Sequence, residues 1–444
     1  MKVIIIGGIA AGMSAAAKLK RSQKEAQVIV YEKTPHISFG GCGLPYYVGG
    51  YFDRAENLFA RTPEQAIASG IELHVEHEVL NVNASEKTVE VKNLKTGEIF
   101  TETYDKLMVA TGANPVIPPI KNIELDNIYT LRNMEDGNIL REKMQDESIK
   151  KVGIIGAGFI GLEVAEAAKK LGKEVTVFQS GDRVLKGSFD KEITDILEEE
   201  IQKAGVTLRL NTMVTGFNGT DKVEQIVTDN EAFDVDLVVL AIGVRPNTAF
   251  LKNVGFEMLP NGAIIVDHEG KTSVEDIYAA GDCATVPHLL KEEPAYIPLA
   301  TSANKLGRIV GENLGGASEK FEGTLGSSCL KVLHMEAGRT GLSEDEVAAM
   351  GIEYKTSFIT DKNHTNYYPG QEDIWIKLIY DANTKVILGG QVVGKKDAVL
   401  RTDTLAAAIY AKFTTKQLGM LDLCYAPPFA RTWDALNVAG NASK

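Results

Sequence analysis

The sequence has 444 residues, of which 44% are hydrophobic and 24% charged. This length exceeds one ordinary core, so we expect two or three domains, and the composition excludes a disordered or fibrous protein. Lys and Arg number 47 against 60 Asp and Glu, and the resulting net charge of −13 disfavours nonspecific binding to nucleic acid or anionic membranes.

The first predicted element is a strand, the apolar run Val3–Ile6, which ends at two glycines. Branched side chains in an unbroken run are typical of a buried parallel strand. The run lacks the length and cleavage site of a signal peptide, and no stretch of the sequence reaches the roughly 18 apolar residues of a membrane span. We therefore expect a cytoplasmic protein.

A Gly-rich turn, an Ala-rich helix and a second strand follow, and they indicate a βαβ unit that binds a dinucleotide. Glu32 ends the second strand 20 residues after Gly12, the distance expected for a ribose ligand. Ile9 replaces the middle glycine of the usual fingerprint, so Gly8 is expected to provide the close backbone approach. The predicted contacts of this nucleotide are Gly7, Gly8, Ala10, Ala11, Gly12, Glu32 and Lys33.

Cys42 follows this unit in a setting that differs from that of the other cysteines. Glycines on both sides leave room for a flat ring near the sulfur, and a helix beginning just after Gly41 would stabilise a thiolate. The alternative is a buried structural cysteine. Cys283, Cys329 and Cys424 have no such setting and are interpreted as packing residues, and no C-x-x-C pair or zinc site occurs. We expect no metal.

The strand Val152–Ile155 precedes a second fingerprint, which predicts a second dinucleotide site. A helix beginning near Leu162 would bind the pyrophosphate with its N-terminal amides. Gln179 stands where a strict NAD site has an acid, so NADPH should be tolerated alongside NADH. The predicted contacts are Gly156, Gly158, Phe159, Ile160, Gly161 and Gln179.

Prolines mark two expected domain crossings, one near residue 115 and one near Arg245 and Pro246. Between the second crossing and Phe321, a short strand ends in Gly281 and Asp282, an acid that can accept hydrogen bonds from a ribityl chain. After Phe321 no Gly fingerprint occurs, which indicates a separate C-terminal domain.

These motifs resemble those of the pyridine nucleotide-disulfide oxidoreductases along nearly the whole chain. The resemblance implies FAD and either NADH or NADPH as cofactors, with further cofactor contacts at Thr111, Gly112, Gly243, Gly281, Asp282, Ala300 and Thr301. It implies an α/β fold with two Rossmann-like dinucleotide-binding domains and an α+β C-terminal dimerisation domain. The implied boundaries are 1–115 and 246–322 for FAD, 116–245 for NAD(P)H and 323–444 for dimerisation.

The single cysteine in Cys42-Gly43-Leu44-Pro45 is similar to the branch that contains coenzyme A-disulfide reductases, NADH oxidases and NADH peroxidases. Oxidases and peroxidases carry a histidine at the place of Ala10, which disfavours both activities here. The segments around Tyr367 and Tyr425 resemble the bacillus-type coenzyme A-disulfide reductases, in which the matching tyrosines reach the partner subunit's cysteine. From the residues alone, both tyrosines would be interpreted as packing groups.

The resemblance implies reduction of coenzyme A disulfide to two thiols by NAD(P)H, through a mixed disulfide between Cys42 and coenzyme A, in a homodimer with shared active sites. A water-forming NADH oxidase and an NAD(P)H-dependent persulfide reductase stay open as alternatives. Coenzyme A is polyanionic, so we expect a basic substrate site, although a solvated helix face explains the first two of its residues equally well. The candidates are Lys20, Arg21, Ser38 and Arg61.

Overall fold

A computed structural model describes all residues from Met1 to Lys444. The chain divides into two compact units. The first comprises Met1–Leu44, Asp53–Pro115 and Val244–Thr324, and the second comprises Pro45–Phe52, Val116–Gly243 and Leu325–Lys444. None of the helices combines the length and apolar character needed to cross a membrane.

The β-strands occur in both units and differ widely in length. In chain order they are β1 (Lys2–Ile6), β2 (Gln27–Glu32), β3 (Glu72–Val75), β4 (His77–Asn83), β5 (Thr88–Asn93), β6 (Ile99–Thr103), β7 (Lys106–Val109), β8 (Ala113–Pro115), β9 (Ile128–Tyr129), β10 (Lys151–Ile155), β11 (Glu174–Phe178), β12 (Thr207–Arg209), β13 (Val214–Asn218), β14 (Gln225–Thr228), β15 (Ala232–Asp234), β16 (Leu237–Leu240), β17 (Val244–Pro246), β18 (Ile277–Ala279), β19 (Val286–Pro287), β20 (Pro294–Ala295), β21 (Ser328–Val332), β22 (Met335–Gly341), β23 (Tyr354–Lys362), β24 (Asp373–Asp381) and β25 (Ile387–Gly394).

The α-helices alternate with these strands, and three short 3-10 turns accompany them. The helices are α1 (Ala10–Ser22), α2 (Leu44–Val48), α3 (Pro63–Ala68), α4 (Met134–Gln145), α5 (Phe159–Lys170), α6 (Lys191–Lys203), α7 (Ala300–Leu314), α8 (Glu344–Ala349), α9 (Ala398–Tyr410), α10 (Thr415–Gly419) and α11 (Ala435–Ala442).

The first unit is built on a parallel five-stranded sheet in the order β18-β7-β1-β2-β3. The predicted strand Val3–Ile6 is its central strand and is almost wholly buried, as an unbroken apolar run requires. A smaller antiparallel sheet, β4-β5-β6, and the antiparallel pair of β8 with β17 belong to the same unit.

Helices α1 and α7 of this unit pack at very close range because small residues face each other. A Cβ atom on Gly307 would lie 2.5 Å from the Ala11 carbonyl oxygen, and one on Gly311 would lie 2.5 Å from that of Ala15. Any larger residue at either glycine would force the helices apart. The Ala-rich composition of α1 therefore serves helix packing and fixes the start of α7 near the first Gly-rich turn.

The second unit contains the second parallel five-stranded sheet, in the order β12-β11-β10-β16-β9. The helix that follows β10 begins at Phe159, so the prediction of a start near Leu162 is wrong. Gly158 is the N-cap residue, and the third fingerprint glycine, Gly161, lies inside the first turn of α5. The sequence prediction placed the helix start after Gly161 because glycine is unfavourable inside a helix.

The C-terminal part of the second unit is an antiparallel sheet in the order β21-β22-β25-β24-β23. Helix α9 contacts β22 and β25, and α11 contacts β23 and β24. An antiparallel sheet with helices, after two parallel sheets, confirms the predicted fold class of two Rossmann-like domains and an α+β C-terminal domain.

Candidate active site

The first Gly-rich turn depends on two glycines for steric reasons. Gly7 has a φ of 106°, and a Cβ atom there would lie 2.3 Å from the Ala110 carbonyl oxygen. A Cβ atom on Gly12 would lie 1.9 Å from the Gly7 carbonyl oxygen. Both positions exclude any other residue, so the tight turn from β1 into α1 requires glycine at each of them.

Glu32, at the end of β2, is 5% exposed and is held against this turn. Its Oε2 atom accepts a hydrogen bond from the Gly8 N–H at 2.7 Å, and Oε1 accepts from the Thr34 N–H and hydroxyl, both at 2.8 Å. Lys33 is exposed, and Ala10 and Ala11 open α1. The carboxylate therefore lies where the ribose of a dinucleotide would meet the turn.

The N-terminus of α1 has neither a capping side chain nor an acidic residue in its first turn. By contrast, α3 and α8 begin with complete capping boxes at Thr62 and Ser343. The first N–H groups of α1 thus have no side-chain acceptor and suit a pyrophosphate. The turn, Glu32 and this helix start together fit the FAD that the sequence predicts.

Other predicted FAD contacts of the first unit lie on the loops around this turn. Gly281 has a φ of 86°, and a Cβ atom there would lie 3.2 Å from the Ala11 Cβ atom, so the loop of Gly281 and Asp282 meets the start of α1. The Thr111 hydroxyl donates to the Asn247 carbonyl at 2.7 Å, and Gly112 accepts from the Asn247 N–H at 2.8 Å. Ala300 and Thr301 open α7, which also has no capping side chain.

Cys42 is exposed and lies in the 3-10 turn Gly41–Gly43, which continues directly into α2. The sequence predicts a helix that begins just after Gly41, whereas the α-helix begins at Leu44, two residues after Cys42, and has only five residues. Glycine at position 43 is needed for packing, because a Cβ atom there would lie 2.3 Å from the Leu58 Cδ2 atom. It does not leave open space for a ring, in contrast to our expectation.

The other three cysteines differ from one another. Cys283 is fully buried, and burial raises the pKa of its thiol to about 11, so it is a poor thiolate at neutral pH. Cys329 and Cys424 are exposed, so their interpretation as packing residues is wrong. No cysteine takes part in a disulfide bond. Cys42 is the exposed cysteine that follows a nucleotide-binding turn.

The second Gly-rich turn, in the second unit, repeats the geometry of the first. Gly156 has a φ of 106°, and a Cβ atom on Gly161 would lie 2.0 Å from the Gly156 carbonyl oxygen. A Cβ atom on Gly158 would meet nothing within 4 Å, so a partner outside the chain, such as a pyrophosphate, best explains this glycine. Phe159 and Ile160 begin α5, which has no capping side chain, and Gly243 has a φ of 114°.

Two carboxylates of α5 were not anticipated from the sequence. Burial raises the pKa of Glu163 to about 7, and its Oε1 atom accepts from the Tyr46 hydroxyl at 3.3 Å. Glu166 is 5% exposed and accepts from the Tyr51 hydroxyl at 2.6 Å and from the Leu333 N–H at 2.9 Å. Two acidic residues within the apolar stretch 159–168 of α5 were the available signal.

Tyr367 and Tyr425 come together in the C-terminal part of the second unit. Their hydroxyl oxygens are 2.8 Å apart, and this hydrogen bond is the main reason why the pKa of Tyr425 is raised. Both line a surface cleft of about 560 Å³, together with Lys362 and Arg431. The pair was predicted only from the resemblance, since 58 residues separate the two positions.

The predicted substrate-binding residues of the first unit have different surroundings. Lys20 Nζ donates to the carbonyls of Lys24 and Ala26 at 2.7 and 2.9 Å, so this ammonium also closes the end of α1. Arg21 is exposed and Arg61 is partly buried. The Ser38 N–H donates to the Gly8 carbonyl at 2.9 Å, which holds Ser38 beside the first turn. A role of these residues in binding stays a prediction.

Comparison with known proteins gives a consistent picture. The chain matches the pyridine nucleotide-disulphide oxidoreductase family over residues 1–305 and the dimerisation domain of that family over residues 327–436. A Pyrococcus horikoshii relative, named an NAD(P)H coenzyme A polysulfide/persulfide reductase, is 41% identical over 444 residues, which cover 100% of this chain and 98% of the relative.

Solved structures with the same fold include reductases and oxidases. Reduced CoADR-RHD of Bacillus anthracis has a TM-score of 0.96 and 33% identity, covering 99% of this chain and 79% of that one. The water-forming NADH oxidase of Lactobacillus brevis, bound to NADH, has a TM-score of 0.95 and 35% identity, covering 100% of this chain and 98% of that one. An engineered NADPH oxidase variant of it, bound to NADPH, has the same identity and coverage and a TM-score of 0.96.

These matches span both dinucleotide-binding turns and the C-terminal sheet. The chain belongs to the pyridine nucleotide-disulphide oxidoreductase family and is an NAD(P)H-dependent flavin oxidoreductase.

Proposed function

We propose that the protein reduces coenzyme A disulfide to two coenzyme A thiols, using NAD(P)H and a mixed disulfide between Cys42 and coenzyme A. The observation that carries this proposal is the position of Cys42, which is exposed and lies in the turn Gly41–Gly43, directly after the first nucleotide-binding unit. The abbreviated name of the B. anthracis neighbour, CoADR, denotes a coenzyme A-disulfide reductase and supports the same substrate.

The chemistry balances with one protein thiol. FAD held by the first Gly-rich turn, Glu32 and the start of α1 would supply the two-electron chemistry between NAD(P)H and a disulfide. Reduction of the mixed disulfide breaks its S–S bond, releases one coenzyme A thiol after protonation and leaves the Cys42 thiolate. This thiolate attacks coenzyme A disulfide, forms a new mixed disulfide and expels the second thiolate, which takes up a proton.

The two tyrosines are proposed to assist the leaving sulfur. A phenol can donate a proton or hydrogen bond to a departing thiolate, and the contact between the Tyr367 and Tyr425 hydroxyls leaves one of the two hydrogens to point elsewhere. Lys20, Arg21, Ser38 and Arg61 are proposed to contact the phosphates of coenzyme A. Since Lys20 already donates to two carbonyls, Arg21 is the better residue for testing this site.

Anaerobic turnover tests the proposal directly. We expect two thiols to be released for each NADPH oxidised when coenzyme A disulfide is present, and we expect Cys42→Ser to abolish this turnover. Cys329→Ser, which alters another exposed cysteine, is the matched control and should keep full activity. Turnover that persists in Cys42→Ser would refute the mechanism.

Reduction of persulfides is the second candidate, because the P. horikoshii relative is named for that activity and matches over nearly its whole length. The same Cys42 thiolate would attack the inner sulfur of a coenzyme A persulfide, break its S–S bond, release hydrosulfide and form the mixed disulfide with coenzyme A. Two electrons from NAD(P)H would then reduce this mixed disulfide to the Cys42 thiolate and one coenzyme A thiol. In parallel anaerobic assays, a higher kcat/KM for coenzyme A persulfide than for coenzyme A disulfide would favour this candidate. Turnover that needs only oxygen would instead favour the oxidase activity of the L. brevis neighbour.

A further inference from the structure

The two Gly-rich turns of this chain provide an internal comparison. In the parallel sheets Ile6 pairs with Tyr31, and Ile155 pairs with Phe178. The next residues, Glu32 and Gln179, therefore occupy equivalent positions opposite their turns. Each of these two side chains can therefore be compared as a contact of the nucleotide that its turn would bind.

Gln179 keeps the structural role of Glu32 but carries no charge. Its Oε1 atom accepts from the Ala157 N–H at 3.0 Å, as Glu32 Oε2 accepts from the Gly8 N–H at 2.7 Å. The second carboxylate oxygen of Glu32 corresponds to the Gln179 Nε2 atom, a donor. An anionic group on the adjacent ribose would thus meet a donor at Gln179, whereas at Glu32 it would meet a negative charge.

The loop after Gln179 also brings a cation near this position. A Cβ atom on Gly181 would lie 3.0 Å from Gln179 Nε2 and 3.7 Å from Lys186 Cδ, so both side chains border the same glycine. Lys186 Nζ lies 2.9 Å from Asp182 Oδ1, in an ion pair that is about half exposed on both sides. A phosphate placed over Gly181 could replace Asp182 as the ion-pair partner of the Lys186 ammonium.

We infer that the second turn selects NADPH over NADH, with Gln179 admitting the 2′-phosphate and Lys186 binding it. The inference deepens the proposed function by naming its electron donor. The engineered oxidase bound to NADPH changes in the same direction, because its five substitutions remove an aspartate and add two arginines relative to the NADH enzyme.

Flavin reduction tests this inference without any disulfide substrate. In anaerobic stopped-flow experiments on the FAD-bound protein, we expect kred/Kd for NADPH to exceed that for NADH by about tenfold or more. Gln179→Glu should remove this preference by weakening NADPH alone. Calorimetric titration tests the same site without involving the flavin. Wild type should bind adenosine 2′,5′-bisphosphate more tightly than adenosine 5′-monophosphate, and Gln179→Glu should lose this difference.

The role of Lys186 has a matched control in the same unit. Lys186→Ala should weaken the binding of adenosine 2′,5′-bisphosphate by about 1.5- to fivefold, the range of an exposed ion pair, and leave the binding of adenosine 5′-monophosphate unchanged. Lys203→Ala removes a similarly exposed partner, that of Glu199, and should change neither affinity. Equal binding of the two nucleotides by the wild type, or equal loss of both in Gln179→Glu, would overturn the inference. Since disulfide reduction is assayed separately, either proposal can fail alone.

Discussion

Glu163 is a carboxyl group whose protonation near neutral pH is altered by the fold. Burial is the main cause of its pKa of about 7, the charge of Glu166 raises the pKa further, and the hydrogen bond from Tyr46 only partly offsets both. Tyr51 lies beside Tyr46, with ring centroids 5.6 Å apart, and donates to Glu166. Near neutral pH, a small change in proton concentration therefore changes the charge on the first turns of α5.

The raised pKa predicts a pH-dependent contribution to stability. From the ordinary value of 4.5 up to about 7, folded Glu163 retains a proton that the unfolded chain has lost. The free energy of unfolding should therefore fall as pH rises through this window, by up to about 3 kcal/mol. Urea unfolding of wild type and Glu163→Gln at pH 5 and pH 8 measures the difference, and the variant should lose this part of the slope. Parallel curves for the two proteins would contradict the assignment.

A functional residue can be predicted from the sequence when its role depends on neighbouring positions rather than on contacts with distant parts of the chain. Gly7, Gly12, Gly156 and Gly161 were predictable because a turn between strand and helix makes a local steric demand. Glu163 was not, because its pKa depends on burial and on a hydroxyl 117 residues away in sequence. Cys42 could be identified from its neighbours, although Leu58, which fills the space at Gly43, could not.

At the scale of elements, the segment Pro45–Phe52 is bound tightly to α5 within the second unit. Lys170 Nζ donates to the carbonyls of Gly49 and Gly50 at 2.8 and 2.9 Å and lies 4.5 Å from the centre of the Tyr51 ring. A Cβ atom on Gly49 would lie 2.9 Å from the Ala167 Cβ atom. The segment that follows Cys42 is thus held on one face of α5.

The hydrogen bond from Tyr51 to Glu166 should contribute measurably to this attachment. Tyr51→Phe removes the hydroxyl from a buried carboxylate and should lower the free energy of unfolding by about 1–3 kcal/mol. We expect a loss near 1 kcal/mol, because Lys331 also contacts Glu166 and remains as a partner of this carboxylate in the variant. Urea unfolding of the FAD-bound protein measures the change. Tyr410→Phe, at a tyrosine that is 60% exposed, should leave stability unchanged; an equal loss in both variants would mean that the contact with Glu166 contributes nothing specific.

The sequence predicted long elements better than short ones. Two strand–turn–helix repeats were sufficient to predict the parallel sheets around β1 and β10, because apolar periodicity is strong over such lengths. The two-residue strand β9 and the five-residue helix α2 have no periodic signal and depend on tertiary contacts. For the same reason the attachment of Pro45–Phe52 to α5 was not foreseen.

At the scale of the whole molecule, the family match over residues 327–436 indicates dimerisation. The C-terminal part of the second unit exposes several large apolar side chains, and apolar surface marks an interaction site where it forms a contiguous patch. They include Leu400, Phe429 and Trp433, each more than half exposed. We therefore propose a homodimer in which this surface is covered and in which Tyr367 and Tyr425 complete the partner's Cys42 site.

Mixed dimers test the shared site. Cys42→Ser and the double variant Tyr367→Phe, Tyr425→Phe should each have little disulfide reductase activity as homodimers. When the two chains are co-expressed in equal amounts, about half of the dimers are mixed, and each mixed dimer has one intact site if the sites are shared. The mixture should then regain about a quarter of wild-type activity.

The activity of the mixed dimers distinguishes a site shared between two subunits from a site formed within one chain. If Cys42 and the tyrosines of one chain act together, every site in a mixed dimer carries one defect, and the mixture stays as inactive as its components. A control mixture of Cys42→Ser with a chain that carries all three substitutions should be inactive under either arrangement, since no site then retains Cys42. Recovery in the first mixture alone therefore assigns the tyrosines to the partner's site.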